Sequence, residues 1–214
     1  MDANKWTGII LAGGLSSRMG TNKALLELNG SAVLTHISNA IRPAVSRIVV
    51  ATGSNEAIYN AQGDKDFECV KDVYPGKGPL AGLHAALSAS RTDWNLVSAC
   101  DMPLLQTSFF NGMKIIAEQY PTSSAIVPRV EERTHPLAGV YHKRVLPELE
   151  QCLMHDRLRV IRWLDEIGGH VVEINELEHA GIEHAALQLS NMNTPEEFEN
   201  IRIRLQRSKF PSES

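Results

Sequence analysis

What most constrains this chain is the alternation of short apolar runs and helical patterns through its first hundred residues. Thr7-Gly8-Ile9-Ile10-Leu11-Ala12 is short, partly β-branched and ends at Gly13-Gly14, the profile of a buried parallel strand feeding a glycine loop. Ser31 to Arg42 then carries Val33, Leu34, Ile37 and Ile41 at helical spacing, with Pro43 just beyond. Arg47–Ala51 reads as a second buried strand, Asn55–Ala61 as a short helix and Glu68–Val70 as a third strand. Leu80–Ser90 is small, apolar and Ala-rich, as helices packed closely on a sheet often are. Trp94–Cys100 is a fourth strand that stops at Asp101. This order predicts right-handed βαβ units and an α/β fold with a central, mostly parallel sheet.

The second half is more mixed. Ser124–Pro128 and Leu137–Tyr141 read as strands around a polar turn at Val130–Arg133. Arg144–His155 and Leu158–Ile167 read as helices, the latter stopped by Gly168-Gly169, and His170–Ile174 as a further strand. The last helix has the clearest start signal: Thr194 as N-cap, Pro195 at the first helical position, and Glu197 completing a capping box. With 214 residues, 43% of them hydrophobic, the chain can bury a real core without staples. We expect one domain over residues 1–206 and a disordered tail over 207–214. A formal charge of −4 with no block of like charge argues against a general attraction to nucleic acid or to an anionic membrane. No run approaches a membrane span, and Met1–Lys5 lacks the apolar core of a signal peptide. Cys69, Cys100 and Cys152 are widely spaced and form no Cys-x-x-Cys pair, so neither a disulfide framework nor a zinc site is indicated. A cytoplasmic location is expected.

The most informative segment for chemistry runs from Leu11 to Lys23. A glycine-rich loop after a first strand lets backbone N–H groups approach an anion, Ser16 and Ser17 add donors, and Arg18 and Lys23 add charges suited to phosphate. It is neither a Walker A loop nor a GxGxxG fingerprint, and a tight turn with solvated cations would look the same. Asp101, at the end of a strand, is placed either to hold Mg²⁺ beside a phosphate-binding loop or simply to cap a turn. Asp72 precedes the punctuated loop Tyr74–Gly82, which opens a helix whose N-terminus either faces an anion or ends a bland loop. His135 before Pro136 is a strand-entry residue or a ligand contact. Arg157, Arg159 and Arg162 form a solvated face or grip a phosphorylated substrate. Asn191 and Asn193 serve at least turn and cap geometry. Cys100 reads as a core thiol, and the remaining histidines share no metal spacing.

Taken together, Leu11-Ala-Gly-Gly14 through Arg18-Met-Gly20 and Lys23, then Asp72, Gly78-Pro-Leu-Ala-Gly82, Cys100-Asp-Met-Pro103, His135-Pro136 and Asn193-Thr-Pro-Glu-Glu197, resemble the molybdenum cofactor guanylyltransferases from about Gly8 to Phe198. The resemblance implies a Rossmann-like three-layer sandwich of the nucleotidyltransferase type. It implies an Mg²⁺-dependent enzyme that transfers GMP from GTP to molybdopterin and releases pyrophosphate. Carried onto matching positions, Leu11, Ala12, Gly13, Gly14, Lys23, Asp72, Gly78, Gly82 and Asp101 bind the nucleotide. Asp101 also holds the metal, and Lys23, Arg18 and Asp101 form the catalytic set. His135, Arg159, Asn191 and Asn193 are the candidates on the acceptor side. Related enzymes that use CTP or sugar phosphates commonly begin LAAG, so Gly13 favours guanine. Asn22 stands where the motif often has Asp, and Ala51 where some members place a guanine-contacting Asn, which weakens the base assignment. The alternatives are a cytidylyltransferase on the same pterin, a sugar-phosphate nucleotidyltransferase, and a non-enzymatic nucleotide or cofactor carrier. Transient contact with other cofactor-assembly proteins is a further expectation for a labile product.

Overall fold

A computed structural model describes residues 3–13, 22–54 and 67–209. After one 3-10 turn the chain forms β1 (Trp6–Leu11), buried at all of its positions. Ile9 and Ile10 are adjacent, so their side chains leave opposite faces of the sheet, and both are completely buried. Both faces of β1 are therefore covered. A small hairpin, β2 (Glu27–Leu28) with β3 (Ser31–Ala32), closes through Asn29-Gly30 and leads into α1 (Val33–Ile41). Then come β4 (Arg47–Ala51), β5 (Glu68–Val70), α2 (Pro79–Ala89) and β6 (Trp94–Ala99). The second half adds α3 (Thr107–Gln119), β7 (Ala125–Val130), β8 (Arg133–Thr134), β9 (Ala138–His142), α4 (Leu146–Met154) and α5 (Val160–Glu166). It closes with β10 (His170–Val172), α6 (Ile174–His179), α7 (Ala185–Gln188) and α8 (Pro195–Lys209).

The sheet order is β10-β7-β9-β6-β1-β4-β5, with β8 paired to β7 alone. β1 is parallel to β4 and β6, β4 to β5, and β7 to β10. Only β9 on this path is reversed, running antiparallel to both β6 and β7. The N-terminal end of the sheet is closed by aromatic rows in register. Trp6 stacks on Trp94 at 5.9 Å, and Trp94 meets the edge of His142 at 4.8 Å. α2 is buried from Leu80 to Leu87 because it packs on β1 and β4 while α4 covers it. α1 turns Val33, Leu34, Ile37 and Ile41 inward, packs on β1 and meets α3. Burying each such Leu or Ile contributes about 1.5–3 kcal/mol, so these stripes fix which face each helix presents.

The α/β class and the mostly parallel sheet agree with the sequence. The sequence suggests a helix after the turn at Asp101 without giving its bounds, and α3 fills that stretch. Its signal was present: Phe109, Phe110, Met113, Ile116 and Ala117 recur at helical spacing and are buried. α6 begins at Ile174 and replaces the end of the expected strand His170–Ile174, which pairs with β7 only as far as Val172. The expected helix Asn55–Ala61 lies outside the described residues. α8 continues to Lys209, past the expected start of the tail, and residues 210–214 also lie outside. No helix among the described residues is long and apolar enough to cross a membrane.

Candidate active site

The carboxyl ends of the central strands are tied to one another. Ala12 N–H donates to the Ala51 carbonyl (2.8 Å), Cys100 N–H to that of Leu11 (3.1 Å) and Thr52 N–H to that of Val70 (3.0 Å). From β1 the chain moves outward to β4 and β5, then returns to the other side of β1 as β6. The segments after β1 and β6 therefore diverge and open a crevice at the switch in strand order. A cleft of about 770 Å³ lies there. Leu11, Ala12, Gly13, Lys23 and Asp72 line it, as do Gly78, Gly82, Asp101 and Asn193. Gly14 and Arg18 lie outside the described residues.

The local conformations explain several residue types. A Cβ on Gly13 would sit 2.8 Å from the Gly53 backbone nitrogen and 3.0 Å from its Cα, so two chain segments approach too closely for any side chain. Gly78, which starts α2 at the rim of the cleft, has φ 69° and ψ −157°, a conformation open essentially to glycine alone. Asn22 accepts a hydrogen bond from Ala24 N–H (3.1 Å) and so caps the turn that carries Lys23. Asp and Asn do that equally well, which accounts for the departure from the family pattern at this position.

Lys23 Nζ donates to Asn193 Oδ1 at 2.8 Å. Asn193 is fixed in turn, because Glu197 Oε2 accepts from the N–H groups of Asn193 (2.6 Å) and Thr194 (3.0 Å). Thr194 Oγ1 accepts from Glu197 N–H at 3.1 Å, completing the capping box. Between the two asparagines, Met192 is fully buried and its N–H donates to the Asp101 carbonyl at 2.7 Å. The Asn191 amide has two orientations. In one, its nitrogen donates to Asp101 Oδ2 at 3.3 Å. In the other, its nitrogen donates to the Leu189 carbonyl (3.2 Å) and its oxygen accepts from Arg133 Nη2 (3.0 Å). The second gives both ends of the amide a partner, at the cost of the bond to Asp101 Oδ2.

Asp101 Oδ1 and Asp72 Oδ1 are both buried without a hydrogen-bond partner in the protein. Burial raises the Asp101 carboxyl above its ordinary range, against the opposing pull of Lys23 and Arg133. Burial raises Asp72 in the same direction. Carboxylate oxygens left unsatisfied in one cleft are of the kind a hard divalent cation takes as ligands. Cys100 is buried, and that burial holds its thiol protonated, as expected for a core residue.

Of the expected acceptor-side residues, Asn193 lines this cleft, and His135, Arg159 and Asn191 do not. His135 is 9% exposed, its N–H donates to the Pro128 carbonyl (2.9 Å), and its carbonyl accepts from Ala138 (3.1 Å). Burial and the nearby Arg133 push its pKa down to about 4, so its ring is neutral near pH 7. Arg159 precedes α5 and lines a separate hollow of about 200 Å³ with Arg157, Arg162 and Trp163. Glu148, Cys152 and Glu166 converge nearby, but Arg157 bonds to both carboxylates (3.1 and 2.6 Å) and Arg162 to Glu166 (3.0 Å), so two guanidinium charges offset the two acids. Sequence reasoning missed Gly53 and Arg133. Gly53 had no local signal, since only its contact with Gly13 gives it importance. Arg133 stood in the polar turn before His135-Pro136.

An open, mostly parallel sheet with a cleft of about 770 Å³ at its switch point, lined by one lysine and two aspartates, is the layout of a nucleotide-using transferase. Residues 8–167 match the family described as MobA-like NTP transferase domain, and the chain belongs to that family. A protein of Flavobacterium johnsoniae named probable molybdenum cofactor guanylyltransferase is 32% identical over 199 residues, covering 93% of this chain and 97% of that one. The molybdenum cofactor guanylyltransferase of Yersinia pestis is 32% identical over 191 residues, covering 88% and 91%. The solved structure of molybdopterin-guanine dinucleotide biosynthesis protein A from Archaeoglobus fulgidus superposes with a TM-score of 0.80 at 20% identity, covering 94% of this chain and 99% of that one. A CMP:2-keto-3-deoxy-manno-octonic acid synthetase complexed with CTP superposes at 0.71 with 13% identity, covering 96% and 100%. The fold is thus that of nucleotidyltransferases.

Proposed function

We propose that the protein transfers GMP from GTP to the terminal phosphate of molybdopterin, forming the guanine dinucleotide and releasing pyrophosphate. The observation that carries this function is the pairing of Lys23 with Asn193 beside Asp101 in the switch-point cleft, in a chain whose relatives at 32% identity bear that activity in their names. An acceptor phosphate oxygen attacks the α-phosphorus of GTP. One P–O bond forms to the acceptor, and the bond from the α-phosphorus to the bridging oxygen breaks, with its electron pair leaving on pyrophosphate. The attacking phosphate is already ionised, so no general base is required, and the protein's task is positioning and charge stabilisation.

In this scheme Lys23 and Arg18 neutralise charge on the departing phosphates, and Gly13 and Gly14 offer backbone N–H groups to them. Leu11, Ala12 and Gly82 bound the nucleotide, and Gly78 brings the N-terminus of α2 toward it. Asp101 and Asp72 fit Mg²⁺ through their unpartnered oxygens. When bound there, Mg²⁺ would neutralise phosphate charge and polarise the α-phosphoryl group. Ala51 lines the cleft with a methyl group, and the Thr52 hydroxyl donates to the Val70 carbonyl (3.1 Å), so neither side chain donates a hydrogen bond to the base. The reading takes residues 1–206 as one catalytic unit in the cytoplasm.

The test is pyrophosphate release with Mg²⁺ and molybdopterin, comparing GTP, CTP, ATP and UTP. Release with GTP, lost in Asp101→Ala, is the expected result. Preference for CTP would keep the mechanism and overturn the base assignment. Nucleotide binding without release from any of the four would indicate a carrier.

A further inference from the structure

We propose that Arg133 binds the attacking phosphate of the acceptor, with Asn191 holding its guanidinium in place. This rests on the transferase reading above and names the cation on the acceptor side. The segment 191–193 is clamped at its centre by the bond from Met192 N–H to the Asp101 carbonyl. From that clamp the two flanking asparagines reach two different cations, Asn193 to Lys23 at 2.8 Å and Asn191 to Arg133 at 3.0 Å. The Asp101 carboxylate therefore feels two positive charges that arrive from different parts of the chain. Lys23 comes from the segment after β1, and Arg133 from the β7–β8 hairpin.

The hairpin is built to hold Arg133 there. Val130 pairs with Arg133 and Arg129 with Thr134 across a turn made by Glu131 and Glu132. Arg129 is already used, bonding to Thr134 Oγ1 (3.2 Å) and Glu173 (3.2 Å). Arg133, by contrast, makes no ion pair among the described residues, and its hydrogen bond there is to a neutral amide. A guanidinium carries five donors in a planar fork, so one bond to Asn191 leaves the rest available. That fork matches a phosphate in a way a lysine does not.

The chemistry requires such a group. A phosphate monoester carries about −1.5 to −2 charges near neutral pH and must approach a triphosphate beside a carboxylate. Lys23 is committed to the nucleotide side. Without a second cation the two anions would repel each other at the distance where the new bond forms.

The experiment measures pyrophosphate release by the full chain, titrating molybdopterin at saturating GTP and GTP at saturating molybdopterin, for the wild type, Arg133→Met and Arg133→Lys. Thermal unfolding and the GTP dissociation constant serve as folding controls. Arg133→Met is expected to raise the KM for molybdopterin about 10- to 100-fold. Its KM and Kd for GTP should stay within about twofold, and Arg133→Lys should recover part of the loss. If Arg133→Met does not fold, Arg133→Lys alone must still show the acceptor-specific rise. An equal rise in both KM values, or an unchanged KM for molybdopterin, overturns the assignment. If the wild type itself releases no pyrophosphate from GTP and molybdopterin, the transferase reading fails first and this one with it, so the two failures are distinguishable.

Discussion

Replacing Gly13 by alanine separates two explanations for that glycine, base preference and backbone proximity. The added Cβ would lie 2.8 Å from the Gly53 nitrogen and 3.0 Å from its Cα. Ordinary carbon contacts begin near about 3.5 Å, so the two segments would have to part by roughly 0.6 Å. Neither contact is the end of a flexible side chain, and the bond from Ala12 N–H to the Ala51 carbonyl (2.8 Å) pins the same two segments one residue earlier. Overpacking of this kind costs about 1–3 kcal/mol. At roughly 2–4 °C per kcal/mol for a chain of this length, Gly13→Ala should melt about 2–12 °C below wild type. Ala12, Gly13 and Gly53 all line the cleft, so KM should rise for every nucleotide by a similar factor and leave the ratio of GTP to CTP turnover unchanged. Thermal unfolding and KM for GTP and CTP check this. An unchanged melting temperature with a reversed base preference would refute the steric reasoning and make Gly13 a specificity residue.

Asp101→Ala and Lys23→Ala should each lower turnover by at least about 100-fold, read as pyrophosphate release, and near-normal rates in both would remove their assigned roles. Asp101→Asn should raise the melting temperature of the metal-free protein while abolishing activity. The folded state binds the Asp101 proton more tightly than the unfolded state, so stability falls as pH rises from the ordinary carboxyl range through the raised value. The gain in Asn should therefore be larger at pH 8 than at pH 4, and melting curves at both pH values decide it. His135 acts oppositely: with its pKa lowered from 6.5 to about 4, the unfolded state takes up the proton first, and stability is lost as pH falls through that window. The full effect is about 3 kcal/mol, and His135→Gln should flatten the acid limb of a denaturation-versus-pH profile. Glu197→Ala removes the acceptor for the Asn193 and Thr194 N–H groups. It should cost about 1 kcal/mol in chemical denaturation and raise KM for GTP by freeing the Asn193 partner of Lys23.

Much of the frame was legible before any coordinates. Arg47–Ala51 and Glu68–Val70 are strands over the stated residues, and the capping box at Thr194 forms as its residue types require. These features depend on local spacing, on burial of both faces of a parallel strand and on short-range side-chain to backbone bonds. The reversed strand β9 was not legible, because a five-residue apolar strand reads the same in either direction. Nor was the separation of Arg159 from the cleft, since a cluster of arginines in sequence says nothing of which hollow it faces.

The residues by themselves determined the elements and the chemical kinds of group available: a strand ending in glycines, a lysine, two aspartates and a polar C-terminal motif. Only the tertiary structure decided how these groups meet. The bond from Lys23 to Asn193 spans 170 residues, and the contact of Gly13 with Gly53 joins the ends of two neighbouring strands. Such pairings follow from strand order and from packing on both faces of the sheet, and neither leaves a local trace at the residues concerned.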